Sequence, residues 1–302
     1  MGRDWESTFR SWSRPSSDTE DEKRENAVRM IRDAIRGSRA LSKRTVEVFA
    51  HGSYRNNTTV RQESDVDLFV LCKDVFFSDF SFAEGFGRDD VGIADTDLTN
   101  AQFKDEVEEA LVSKFGRTGV TRGNKAFGVH ENTYRVDADV VACFGHRRYT
   151  VRDSAGVYRY LSGVEFVTDR SQHIINWPGQ SYENGVRKNT STGNRFKQIA
   201  RVIKRLRNEM ADAPVAGAAA IPGYLSECLV WNVPNDGFGH SEYAADVRYA
   251  LAHTFNETLT DDKCKEWGEV NELKYLFRAS QPWTRLQAHA FLEAAWDYVG
   301  FS

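Results

Sequence analysis

Asp65-Val66-Asp67 opens the apolar run Leu68-Phe69-Val70-Leu71-Cys72, and no other feature narrows the possible folds as much. A run that is apolar on both faces reads as a strand buried on both sides of a sheet. Two carboxylates two apart on one strand share a face, with Cα atoms about 6.5–7 Å apart. Phe49-Ala50-His51-Gly52-Ser53 precedes them, separated by eleven residues. Gly52 lets the backbone approach a phosphate closely, and amides there can form an anion cradle. Ser53 adds a hydroxyl donor. Hard oxygen ligands beside phosphates select Mg2+ or Mn2+ over zinc. The carboxylate spacing can bracket two such ions about 3.5–4 Å apart.

A third carboxylate would complete the set and draw a proton off an attacking hydroxyl. Tyr134 to Phe144 reads as a strand, with Tyr134, Val136, Ala138, Val140, Ala142 and Phe144 on one face. Arg135, Asp137, Asp139, Val141 and Cys143 fall on the other. Either Asp137 or Asp139 can serve. An unpaired acid in such a strand costs several kcal/mol, roughly, and a metal offsets that cost.

Of the 302 residues, 40% are hydrophobic, enough for a sizeable core, and the length suggests about two domains. A net charge of -4 argues against a dedicated DNA binder, so no DNA ligand is expected. No apolar run of about 18 residues is present, so no membrane span is expected. Met1 to Arg14 is polar and lacks an apolar signal core, which points to the cytoplasm. Cys72, Cys143, Cys228 and Cys264 are far apart and lack zinc spacing, so they read as reduced thiols.

Ser17-x-x-Glu20 reads as a capping box before a helix carrying Ala27, Val28, Met30, Ile31, Ala34 and Ile35 and stopping at Gly37. Thr45 to Ala50 reads as a strand, residues 51–64 as a polar loop, and residues 74–98 as irregular. Thr99-x-x-Gln102 caps another helix, which ends near Gly116. Short strands are expected to about Thr168. After Asn176-Trp177-Pro178-Gly179, helices are expected over about 194–210, 222–231, 242–255 and 284–298. Strands first and helices second predicts an α+β core over residues 1–175 and a helical lobe over 176–302.

Residues 184–208 hold eight bases and no acid. Lys197, Arg201, Lys204 and Arg205 share one helix side and suit a triphosphate. Tyr182, Asn184 and Asn189 are candidates for a nucleobase pocket. His51 reads as a packing residue, as do Trp177, Trp231 and Trp283.

The pattern Gly52-Ser53, Asp65-x-Asp67 and a later strand acid resembles the DNA polymerase β-like nucleotidyltransferase superfamily. The longer stretch from Gly52 through Arg61 to Ser64-Asp65-Val66-Asp67 is more specific, as are Asp139-Val140-Val141-Ala142-Cys143-Phe144, Asn176-Trp177-Pro178, Tyr182 to Gly185 and Arg195-Phe196-Lys197. These resemble the bacterial cGAS/DncV-like nucleotidyltransferases of anti-phage CBASS systems, over about residues 45–298. The resemblance implies a polymerase β-like core with a mixed sheet, a C-terminal helical lobe and an active site in the cleft between them. It implies Asp139 as the third ligand with Asp65 and Asp67, Asp137 being the fallback, and two Mg2+ or Mn2+ ions. It implies Lys204 as the lysine that holds the donor triphosphate. Where the family often carries a serine four residues ahead of a glutamate, here Glu227, this chain has Gly223, with Ser226 as a weak substitute. The implied activity is synthesis of a cyclic di- or trinucleotide from ribonucleoside triphosphates, ATP among them, for a separate effector.

Overall fold

The computed structural model describes residues 3–60, 65–213 and 215–301, so the motif residues Arg61 and Ser64 lie outside the described residues. The strands are Val46–Ala50 (β1), Val66–Asp79 (β2), Val120–Arg122 (β3), Phe127–Val129 (β4), Ala138–Arg152 (β5), Tyr158–Val167 (β6) and His173–Asn176 (β7). The helices are Trp5–Trp12 (α1), Asp18–Arg36 (α2), Gly52–Asn56 (α3), Asn100–Phe115 (α4), Pro178–Ser191 (α5), Arg195–Asp212 (α6), Gly223–Trp231 (α7), Tyr243–Glu257 (α8), Asp261–Cys264 (α9) and Arg285–Val299 (α10). Two compact units emerge. One comprises Asp18–Tyr54 and Ser64–Gly179; the other comprises Met1–Ser17, Arg55–Glu63 and Gln180–Ser302.

In the first unit all seven strands form one mixed sheet in the order β1-β2-β5-β4-β3, with β6 added on β5 and β7 on β6. The α+β reading is borne out. The β2–β5 pair is parallel, and its other neighbours are antiparallel. A parallel pair needs a long crossover, and α4 lies within it. Leu68, Val70, Val140, Ala142 and Phe144 pack on one face with Ile31 and Ile35 of α2 and Phe103 and Leu111 of α4. Phe69, Val141, Cys143, Val164 and Phe166 fill the other. Burial on both faces is why β2 reads as continuous rather than alternating apolar sequence. The Thr99 and Gln102 capping box of α4 is formed as the spacing predicts.

Four local expectations are corrected. Within the expected loop over 51–64, Gly52–Asn56 forms a short helix, residues 57–60 carry no regular element, and residues 61–64 lie outside the described residues. β2 continues to Asp79 through a register shift between Cys72 and Phe76, so residues 74–79 are strand, not irregular. β5 begins at Ala138, not Tyr134, because the Asn132 side chain accepts from the amides of Tyr134 and Arg135 and turns the chain there. Instead of short strands, β5 and β6 then form a long hairpin.

The second unit is helical. Its core gathers Phe196, Ile199, Ile203 and Leu206 of α6 with residues of α7, α8 and α10. Beside the linear division expected at residue 175, two earlier segments join it. Phe9 of α1 is wholly buried in this core, and Thr58 is wholly buried against α6 and α7 side chains. Neither partnership leaves a local sequence signal.

Candidate active site

The sheet register assembles the carboxylates. Asp67 on β2 stands directly opposite Asp139 on β5, and Val66 N donates to Asp137 O at 3.1 Å, carrying the pairing past the strand start. Adjacent strands lie about 4.8 Å apart, and paired residues of parallel strands present their side chains on the same face. Asp67 and Asp139 therefore share one face of the sheet, and Asp65 directly precedes β2. Asp139 is exposed between buried Ala138 and Val140. Desolvation by the protein around it raises its carboxyl pKa above the usual range, and the Asp137 charge pushes the same way. Asp137 itself has structural work: its Oδ1 accepts from Glu131 N at 2.5 Å. Of the two acids left open by alternation, Asp139 is the one the register sets against Asp67.

Gly52 stands against the Asp67 side chain. Its φ of +64° is one that L side chains rarely adopt. A Cβ there would stand 3.2 Å from Asp67 Cγ and nearer still to Oδ2. His51 N donates to Asp67 O at 2.9 Å, tying the two motif halves. The His51 ring stacks on Phe69 with centroids 3.7 Å apart, and its buried Nε2 has no hydrogen-bond partner. Burial lowers its pKa to about 3, so it is a neutral packing residue. An unfolded chain protonates this imidazole below about 6.5, the folded one only near 3. Unfolding then takes up a proton, and acid weakens the fold across that window. His51→Phe is expected to flatten the fall in denaturation midpoint between pH 6.5 and 4; an unchanged slope would show that His51 is not buried neutral. Ser53 lies within α3 beside Gly52.

The basic stretch is mostly committed to the helical unit itself. Lys204 pairs with Glu227, and its Nζ donates to Thr58 Oγ1 at 3.1 Å and Thr58 O at 3.4 Å. Arg201 donates to Ser13 O and Asn57 O, and burial lowers its pKa to about 10. Arg195 pairs with buried Asp246 at 2.8 Å. Arg207 donates to the carbonyls of Ala218 and Ile221. Sequence spacing missed these roles because the acids and carbonyls come from distant segments. Lys197 instead overlies the Tyr182 ring at 5.8 Å, with Arg55 over the same ring at 4.3 Å. Burial lowers the Lys197 pKa.

Around Tyr182 the expected amides are otherwise occupied. Asn184 Nδ2 donates to Val270 O and its Oδ1 accepts from Arg187. Asn189 binds Asn194 and accepts from Lys197 N, capping α6. Of that trio only Tyr182 has a ring, and Arg55 and Lys197 already lie over it. Ser226 is wholly buried, whereas a Cβ at Gly223 would meet nothing within 4 Å. All four cysteines are free and buried, as read from their spacing. Trp177 and Trp283 are buried and Trp231 packs on the helical core. No helix among the described residues is long and apolar enough to cross a membrane.

The donor chemistry fits divalent cations of the hard class, which take carboxylate oxygens. Among the described residues no group of three or more His, Cys, Asp or Glu side chains is arranged to hold a metal ion. The facing pair Asp67 and Asp139 suits Mg2+, which is usually held by one or two carboxylates together with substrate phosphates.

The chain has clear relatives among known proteins. A profile for the cGAS/DncV-like nucleotidyltransferase C-terminal helical domain matches residues 183–300, and one for the nucleotidyltransferase domain matches residues 31–115. The chain is 46% identical to a cyclic dipyrimidine nucleotide synthase CdnE of Legionella pneumophila, over 99% of each chain. It is 39% identical to a protein of the same name from Cecembia lonarensis, over the full length of both. The solved structure of Elizabethkingia meningoseptica CdnE cyclic dinucleotide synthase with GTP and Apcpp superposes with a TM-score of 0.78. That chain is 32% identical, and the match covers 98% of this chain and 99% of that one.

Proposed function

The chain belongs to the cGAS/DncV-like nucleotidyltransferases, and from that premise we propose that it joins two pyrimidine ribonucleoside triphosphates into a cyclic dinucleotide. As an enzyme it is a nucleotidyltransferase of the cyclic nucleotide synthase kind. The observation that carries the mechanism is Asp139 directly opposite Asp67, with Gly52 against the Asp67 carboxyl.

Asp65, Asp67 and Asp139 would hold two Mg2+ or Mn2+ ions, which when bound neutralise the triphosphate and the charge that develops during transfer. An Asp139 oxygen takes the proton of the acceptor ribose hydroxyl. The hydroxyl oxygen attacks the α-phosphorus in line, the bond to the β-phosphate oxygen breaks, and pyrophosphate leaves. A second round on the linear intermediate closes the ring and releases a second pyrophosphate. On the sheet unit Ser53 and the Gly52 backbone are the groups suited to phosphate. On the helical unit Lys197 is the lysine we assign to phosphate, since Lys204 is enclosed with Glu227 and Thr58.

ATP was the substrate expected from the resemblance; the names of the two relatives at 46% and 39% identity favour UTP and CTP instead. In this reading the product is a cytoplasmic signal for a separate effector in anti-phage defence, and synthesis needs no DNA.

The test is to incubate the protein with all four ribonucleoside triphosphates and Mg2+ or Mn2+, treat with phosphatase, and measure product mass. A phosphatase-resistant cyclic dipyrimidine is the expected result. A cyclic product containing purine would overturn the base assignment, and linear products alone would overturn cyclisation.

A further inference from the structure

We propose that a cavity at the start of α4 is a binding site for a phosphate group, separate from the carboxylates. The cavity measures about 560 Å3 and is lined by residues of α4, by Arg122 of β3 and by the turn from β6 to β7. Small-molecule sites run roughly from 300 to 1,000 Å3. α4 packs on the face of the sheet that carries Leu68 and Val140. Asp67 and Asp139 alternate with those residues and so share the face of Phe69 and Val141. The cavity and the carboxylates thus belong to opposite faces.

The lining is rich in donors. Thr99 takes up the amides of Gln102 and Phe103, which leaves those of Asn100 and Ala101 at the positive end of a 16-residue helix. Asn100 is only 6% exposed. Its Oδ1 accepts from Val167 N at 3.0 Å, which fixes the amide and leaves the buried Nδ2 with no hydrogen-bond partner. Thr168 Oγ1 accepts from Gln172 N at 3.0 Å, so its proton is available to a ligand. Ser171, at φ +60°, adds a second hydroxyl. Two cations and one acid complete the lining. Buried Lys104 donates through Nζ to Asp169 Oδ1 at 2.9 Å and to the carbonyls of Gly123 and Asn124 at 3.1 Å. Arg122 reaches both Asp169 oxygens at 3.2 Å. Its Nη1 also donates to Asp105 and Glu108, which stand outside the lining. Backbone amides, an orphaned side-chain amide and hydroxyls, with cationic charge in excess, match the acceptor oxygens of an oxyanion.

The experiment titrates the isotope-labelled, full-length protein and follows its amides by NMR, with ionic strength held by chloride. Inorganic phosphate and glycerol phosphate are the two probes. Saturable shifts are expected at the amides of Asn100, Ala101 and Ser171. Tighter binding of the ester would identify the ligand as an organic phosphate, and equal binding would identify it as free phosphate. Asn100→Asp keeps the acceptor for Val167 N but puts an anion where the donor was, and should weaken binding at least about tenfold. Ser171→Gly removes a hydroxyl at a backbone conformation that glycine adopts freely. It should weaken binding without lowering the melting temperature, and it keeps the test open should Asn100→Asp fail to fold. Asp169→Asn removes the competing acid and should tighten binding. Shifts that stay linear in phosphate, or that survive Asn100→Asp and Ser171→Gly unchanged, would overturn the proposal. None of these readouts depends on product formation, so a failure of the synthase reading would leave them standing.

Discussion

Asp67→Asn is expected to reduce product formation at least about 1,000-fold while leaving the fold intact or slightly stabilised. The substitution keeps shape and removes one charge. In the folded sheet Asp67 and Asp139 are direct cross-strand neighbours, and like charges so placed oppose pairing by roughly 0.2–1 kcal/mol. Without divalent cation, removing one charge relieves that repulsion. The melting temperature should stay level or rise by about 1–3 °C, given the usual conversion for domains of this size. On the proposed assignment turnover falls because the Asp67 and Asp139 pair loses an anionic oxygen for a divalent cation, an electrostatic contribution that often dominates catalysis. Pyrophosphate release and thermal denaturation on the same preparation check both halves. A clear drop in melting temperature would mark Asp67 as structural, and retained turnover would remove it from the site.

Gly52→Ala should be nearly as severe, through backbone rather than charge. Alanine at φ +64° costs roughly 1–2 kcal/mol. Its methyl would press on the Asp67 carboxyl, 3.2 Å from Cγ and closer to Oδ2. Either the carboxyl or the turn must move, and a loss of about 100-fold in kcat is expected. Gly179→Ala is the control. No atom lies within 4 Å of a Cβ there, and alanine is the better helix former by about 1 kcal/mol. That variant should keep full turnover with equal or higher stability. Equal turnover in Gly52→Ala would show that the approach to Asp67 is dispensable.

Local pattern made much of the architecture legible. The capping box at Thr99, the helix stopping at Gly37 and the buried strand after Asp67 rest on interactions within a few residues. Where local rules failed, a non-local partner or a turn had overridden them. The Asn132 turn cut back the expected strand at Tyr134. Pairing with β5 extended β2 through its polar stretch at Lys73 and Asp74. The basic run after Asn184 looked like one solvated, phosphate-facing stripe. Its counterions Glu227 and Asp246, and the carbonyls of Asn57 and Ser13, come from elsewhere in the chain.

By itself the sequence singled out the residues proposed to carry the chemistry: a glycine-serine turn, two carboxylates at a buried strand's start, and two acids alternating on a later one. These are properties of residue type and short spacing, governed by strand alternation and the demands of hard oxygen ligands. Only the tertiary structure decided which later acid faces Asp67, because the register of a parallel pair is set by packing across a long crossover. Only it decided that Lys204 is spent on Thr58 and Glu227, because a lysine's role depends on what lies within hydrogen-bond reach, and residues 146 and 23 positions away are invisible to spacing.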